Sequence, residues 1–213
     1  LATGVARQRL SGHLTMVVTL DVSRDGRTLL TGSPDRTARL WDLDTGEELR
    51  QLLGHADNLW AVAFNPTSAI AFTSGPDQAM LLWDLNRVPI ALSLVGHSHV
   101  VYNVDVPGDG QLIATSSFDG TVRLWDAQTG RQARVLTGHT QNITLMSFSG
   151  DGSRLLTGSE DRTVRLWDVA SRSSQVLRRD VMWCAGIALS HDGRMAAIAG
   201  HGDQMIWLYD LET

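Results

Sequence analysis

The chain has 213 residues, 43% of them hydrophobic, and 18 basic against 23 acidic side chains give a formal net charge of -5. That balance argues against general nucleic-acid binding, which needs a basic footprint over phosphate, and no run of about 18 apolar residues is available to span a bilayer. The single cysteine, Cys184, cannot form an internal disulfide, which fits a reducing compartment and sets a cytoplasmic expectation.

In chain order, the opening Leu1-Ala2-Thr3-Gly4 has neither the charged region nor the apolar core of a signal peptide. Leu1, Thr3, Gly4 and Leu10 align with Leu43, Thr45, Gly46 and Leu52, so residues 1–10 are expected to be the outer strand of a preceding or closing unit. Units then follow at approximately 11–52, 53–94, 95–136, 137–177 and 178–213, within a single domain. Gly-His opens the first four, at Gly12-His13, Gly54-His55, Gly96-His97 and Gly138-His139, with a spacing of 42 residues. Trp-Asp keeps that spacing at Trp41-Asp42, Trp83-Asp84, Trp125-Asp126 and Trp167-Asp168, and so do Asp35, Asp77, Asp119, Asp161 and Asp203. A fixed period of this size marks an array of supersecondary units. It also weighs against a catalytic triad, because His, Thr and Asp recur together in unit after unit.

Residues 139–168 show the unit most cleanly. Ile143, Met146 and Phe148 form an apolar strand ending at the turn Gly150-Asp151-Gly152. A second strand runs from Arg154 to Ser159, and Asp161-Arg162 turns the chain into Thr163–Trp167. There Val164 and Leu166 share one face and Arg165 and Trp167 the other. A fourth strand follows the Trp-Asp. Four short antiparallel strands per unit, with no helical period, imply a radial array of small sheets. The fifth unit departs from the pattern: Arg179-Asp180 replaces Gly-His, Ala199 is read at the Thr position, Tyr209 replaces Trp, and an extra residue falls in Gly200-His201-Gly202.

The joint recurrence of Gly-His, the turn aspartate and Trp-Asp resembles the WD-repeat β-propellers, over essentially the whole chain, and the turn sequences are similar to bacterial repeats of that family. The resemblance implies an all-β propeller whose members mostly have seven blades. We therefore take the chain as five repeats of a larger ring, and keep a closed five-bladed ring as the alternative. It also implies an internal hydrogen-bonded tetrad. Trp only donates, ionised Asp only accepts, and Thr and His do both, so the chain must run Trp to Thr to His to Asp. The matching sets are His13, Thr31, Asp35, Trp41; His55, Thr73, Asp77, Trp83; His97, Thr115, Asp119, Trp125; and His139, Thr157, Asp161, Trp167.

For function the resemblance implies a non-catalytic scaffold that binds a protein or peptide on its narrow face, within a larger bacterial signalling or regulatory protein. The alternative is a propeller accessory to a kinase or signalling ATPase module elsewhere in the polypeptide. Family geometry maps the narrow face onto three sets. They are Met16, Asn58, Val100 and Asn142, with Trp183 in the fifth unit; then Val18, Trp60, Tyr102 and Thr144; and then Pro34, Pro76, Phe118, Glu160 and Gly202. Trp60, Tyr102, Phe118 and Trp183 are the residue types that anchor interfaces. Trp207, at the position of Arg165, is assigned to packing between blades.

No cofactor, nucleic acid or membrane partner is expected. His97 and His99 form a His-x-His pair, but His97 belongs to a tetrad and no carboxylate or thiol cluster joins it. His191 lies in a turn, and neither a phosphate-cradling glycine loop nor a serine elbow occurs. An open ring would leave strand edges, Ala6–Leu10 and Trp207–Tyr209, able to self-associate.

Overall fold

The computed structural model describes residues 6, 8–87, 92–181, 184–200 and 205–212. Among them there is no helix. Nineteen short strands form five separate antiparallel sheets. The first holds β1 (Thr19–Val22), β2 (Thr28–Gly32), β3 (Thr37–Asp42) and β4 (Glu48–Leu53). The second holds β5 (Ala61–Phe64), β6 (Ile70–Ser74), β7 (Met80–Asp84) and β8 (Leu92–Leu94). The third runs β9 (Val101–Asp105), β10 (Leu112–Ser117), β11 (Val122–Asp126) and β12 (Gln132–Leu136). The fourth runs β13 (Ile143–Phe148), β14 (Arg154–Ser159), β15 (Val164–Asp168) and β16 (Ser174–Arg178). The fifth has three described strands, β17 (Cys184–Leu189), β18 (Met195–Gly200) and β19 (Ile206–Asp210). Strands pair in sequence order within each sheet. The first strands lie side by side in the order β1, β5, β9, β13, β17. No comparable contact joins β17 back to β1 among the described residues.

Hairpin turns explain the short strands. The turn between the second and third strands places Arg36, Gln78, Gly120 and Arg162 at φ 69°, 62°, 77° and 66°. Only Gly120 takes this left-handed conformation without steric cost. In the other three units the preceding aspartate holds the turn, as when Asp35 Oδ1 accepts Thr37 N–H at 3.0 Å.

The core lies between sheets rather than within them. Each internal sheet has a face toward its predecessor, here the leading face, and one toward its successor, the trailing face. At the first junction Leu30, Ala38, Leu40 and Leu52 pack on Leu59, Val62, Ala71 and Trp83 of the next sheet. The same positions meet at the others, as where Ala114, Val122, Leu124 and Leu136 face Ile143, Met146, Leu155 and Trp167. This is why Val164, Leu166 and Trp167 are all buried although they alternate along one strand. Burial of each such leucine contributes about 1.5–3 kcal/mol.

The fifth sheet corrects the sequence alignment. Thr157 pairs with Met146 and Arg165, and the residue so placed between Ile187 and Trp207 is Ile198. Ile198, not Ala199, therefore takes the Thr position, fully buried. The one-residue shortening persists through β18, and the compensating residue falls in the hairpin before β19. Trp207 lies with Arg178 over its ring at 4.0 Å, a contact to the outer strand of the fourth sheet. Trp183, His201, Gly202 and Asp203 lie outside the described residues.

Candidate functional site

Four polar networks tie the Gly-His loops to the sheets. His13 Nδ1 lies 2.9 Å from Asp35 Oδ2 and His13 Nε2 lies 2.8 Å from Thr31 Oγ1, which accepts the Trp41 indole N–H at 2.8 Å. His55, Thr73, Asp77 and Trp83 repeat the arrangement at 2.7–2.9 Å. His97, Thr115, Asp119 and Trp125 do so at 2.8 Å throughout. In the fourth set, His139 to Asp161 is 2.7 Å, and Thr157 to His139 and to Trp167 are each 2.8 Å. The carboxylate can only accept, so Nδ1–H donates to it and Nε2 is left to accept the Thr hydroxyl proton.

Each aspartate gathers more donors. Asp161 takes the Thr140 and Thr163 backbone N–H groups and the Thr163 hydroxyl besides the imidazole. Burial opposes its ionisation, but these donors outweigh it and hold the pKa at about 2. Asp35 and Asp119 are held below the usual carboxylate range by the same balance. Asp77 is lowered against its burial chiefly by His55. It lacks one donor, because Ala79 stands where the other units have Thr37, Thr121 and Thr163. Burial also lowers the pKa of His139, against the pull of Asp161, which keeps the imidazole neutral.

Above these networks the aromatic residues converge. Trp60, just before the second sheet's first strand, meets Tyr102 of the third edge-on at a centroid distance of 5.3 Å. Phe118, in the turn after β10, stacks on Tyr102 at 5.3 Å with a 20° interplanar angle and lies 6.1 Å from Trp60. His99 adds a fourth ring 5.8 Å from Phe118. Tyr102 is exposed, and Trp60 and Phe118 are half-buried, so the cluster is a surface feature and not core.

Beside it a cleft of about 650 Å³ runs toward the fifth sheet, lined by Tyr102, Phe118, Thr144, Leu145, Glu160 and Arg162. Asn142 donates its amide to Glu160 Oε2 at 2.9 Å and so fixes that carboxylate at the rim. Cys184 lies at the cleft wall, where burial pushes its thiol pKa up and keeps it unreactive.

Not every residue mapped to the narrow face joins this site. Met16 and Val18 are exposed in the loop before β1, outside the ring contacts. Asn58 and Val100 are half-buried, and the Val100 carbonyl accepts the Phe118 N–H at 3.0 Å. Sequence reasoning weighed His99 only as a metal ligand and passed over Arg162 and Leu145. The left-handed turn shared with Arg36 and Gln78 is the signal that could have placed Arg162 at the rim. Among the described residues no group of three His, Cys, Asp or Glu is arranged to hold a metal, and no helix is long and apolar enough to cross a membrane.

Known proteins share the repeat. Residues 4–42, 46–84, 89–126 and 130–168 each match the model of the WD domain, G-beta repeat. Dynein assembly factor with WD repeat domains 1 of Homo sapiens is 41% identical over 56 residues, 26% of this chain and 14% of that protein. Kinesin-like protein klp-12 of Caenorhabditis elegans is 42% identical over 57 residues, 27% of this chain and 3% of its own length. Mitochondrial division protein 1 of Mycosarcoma maydis is 42% identical over 55 residues, 26% of this chain and 7% of that protein. The matched stretch thus spans well under two thirds of these relatives.

Proposed function

Since this chain belongs to the WD domain, G-beta repeat family, we propose that it is a non-catalytic protein-binding scaffold that holds a protein or peptide on its narrow face. The observation that carries this reading is the ring cluster of Trp60, Tyr102 and Phe118, which crosses two sheets at the surface. Rigid aromatic side chains bring large contact area at low entropic cost and dominate hot spots. The cleft beside them supplies a concave neighbour with a fixed carboxylate at Glu160. Underneath, four buried networks hold the loops in one geometry, so a partner finds the surface already ordered.

The test compares Tyr102→Ala and Trp60→Ala with Thr144→Ala by quantitative affinity capture, followed by titration of the partner found. The aromatic truncations are expected to cost about 2 kcal/mol or more of affinity with nearly unchanged thermal melts. Thr144→Ala should cost less. A partner that binds all three variants as tightly as the parent chain would sink the assignment.

A further inference from the structure

The cleft beside the ring cluster has unlike walls. Phe118 and Glu160 occupy equivalent turn positions in the third and fourth sheets, since their backbone N–H groups donate to the Val100 and Asn142 carbonyls at 3.0 and 2.9 Å. Tyr102 and Thr144 are equivalent too, each following the residue that pairs with Ser117 or Ser159. Where the third sheet presents two stacked rings, the fourth therefore presents a hydroxyl and a carboxylate. All four side chains line the one cleft. Both sheets have another sheet of this chain packed on either side, so this surface lies well inside the array.

Charge decides what fits between them. Glu160 is exposed, and its Oε2 accepts the Asn142 amide at 2.9 Å. The arginine–carboxylate pairs among the described residues join Arg39 to Glu48, Arg87 to Asp84 and Arg194 to Glu212, so none neutralises Glu160. Its charge is thus held in place beside an aromatic wall. A ring face attracts a cation, and a carboxylate receives one through a charge-assisted hydrogen bond. An arginine or lysine side chain uses both, and its methylene stem can lie along half-buried Leu145 in the same cleft. Arg162 carries the opposite charge. Its carbonyl accepts the Val181 N–H at 3.2 Å, which places it at the end of the cleft toward the fifth sheet.

We propose that this cleft is a cation subsite, which takes an arginine or lysine side chain of the bound protein or peptide with its head group on Glu160 and its stem against Tyr102 and Phe118. The subsite rests on the reading of the ring cluster as the partner surface, and adds the charge of what is bound there. A basic segment also suits a chain of net charge -5, whose field draws cationic partners toward it. Guanidinium and ammonium heads share this chemistry and differ in geometry, since only the guanidinium can meet the carboxylate as a fork.

A random heptapeptide phage library, depleted on the Tyr102→Ala chain and then panned on the parent 213-residue chain, provides the test. The recovered peptides should share an arginine or lysine. Labelled synthetic copies, titrated by fluorescence anisotropy, should bind Glu160→Gln about tenfold more weakly than the parent. Exchanging the shared basic residue for glutamine should cost as much, and both changes together should cost little more than either alone. An arginine-to-lysine exchange in the peptide then tells the two head groups apart. Glu160 is exposed, so Glu160→Gln should melt as the parent does, and the exchange in the peptide tests the same contact on the unaltered chain. Peptides that need Tyr102 but carry no basic residue, or that bind Glu160→Gln as tightly as the parent, overturn the cation subsite and leave the ring cluster standing. Peptides that weaken on Arg162→Ala and keep their affinity for Glu160→Gln identify an acidic ligand and overturn it equally. If no peptide distinguishes Tyr102→Ala from the parent, the ring-cluster reading fails and the subsite fails with it.

Discussion

Replacing Thr115 by Val isolates the tetrad from packing, because the two side chains differ little in shape. Thr115 is fully buried, and its hydroxyl accepts the Trp125 indole N–H and bonds His97 Nε2, both at 2.8 Å. Both partners are buried, so neither recovers a water. A buried polar group left without a partner costs about 1–3 kcal/mol, which gives about 2–6 kcal/mol for the two. The valine methyl recovers about 1 kcal/mol of transfer energy, leaving an expected loss of about 1–5 kcal/mol. Repeat arrays respond locally, so the assay is amide hydrogen exchange resolved by strand. Protection should fall in β10 and β11 and change little in β2 and β3. Trp125→Phe deletes the stranded donor, and Thr115→Val should cost measurably less in that background. A loss below about 1 kcal/mol, or one that is the same in both backgrounds, would show that the network does not stabilise the sheet.

Other changes probe the same networks. Asp119→Ala orphans the His97 ring and three further donors, whereas Asp77 lacks the threonine hydroxyl; urea melts should rank Asp119→Ala as the costlier. Conversely, Ala79→Thr supplies that missing hydroxyl and should stabilise the second sheet by about 1 kcal/mol, a gain that Asp77→Ala should abolish. The Ser116 hydroxyl is buried with no partner among the described residues, so Ser116→Ala is expected to be neutral or to raise stability by up to about 1 kcal/mol. Acid should act in two steps. His139 has a folded pKa below 6.5, so the unfolded chain takes up its proton first and stability falls as pH drops below 6.5. Asp35, Asp77, Asp119 and Asp161 are depressed below 3.8, so their contribution is complete above that value and disappears as pH falls through their folded values. Urea midpoints that stay flat from pH 7 to 5 would contradict the first step.

Much of this molecule was legible in its sequence because its constraints are local and repeated. Trp, Thr, His and Asp have donor and acceptor roles that allow one order of bonding, and four copies at one spacing leave no doubt which residues combine. The fifth unit was harder. Met195-Ala196-Ala197-Ile198-Ala199 is a small apolar run in which a one-residue shift leaves composition unchanged, yet it decides which side chain faces the core. Only the pairing of Ile198 with Ile187 and Trp207 resolves it.

The ring cluster was legible by position but not by contact. That Trp60 and Tyr102 occupy equivalent places in neighbouring units follows from the repeat; that Phe118 lies against both, and His99 against Phe118, depends on how two loops lean across a sheet junction. The repeat builds the frame from positions that are alike in every unit. A partner can be recognised only through positions that differ between units, since a face with the same chemistry in every unit would offer each ligand several equivalent registers. Trp60, Tyr102, Phe118 and Glu160 stand where the first sheet carries Val18 and Pro34, and that asymmetry is what gives this surface one address.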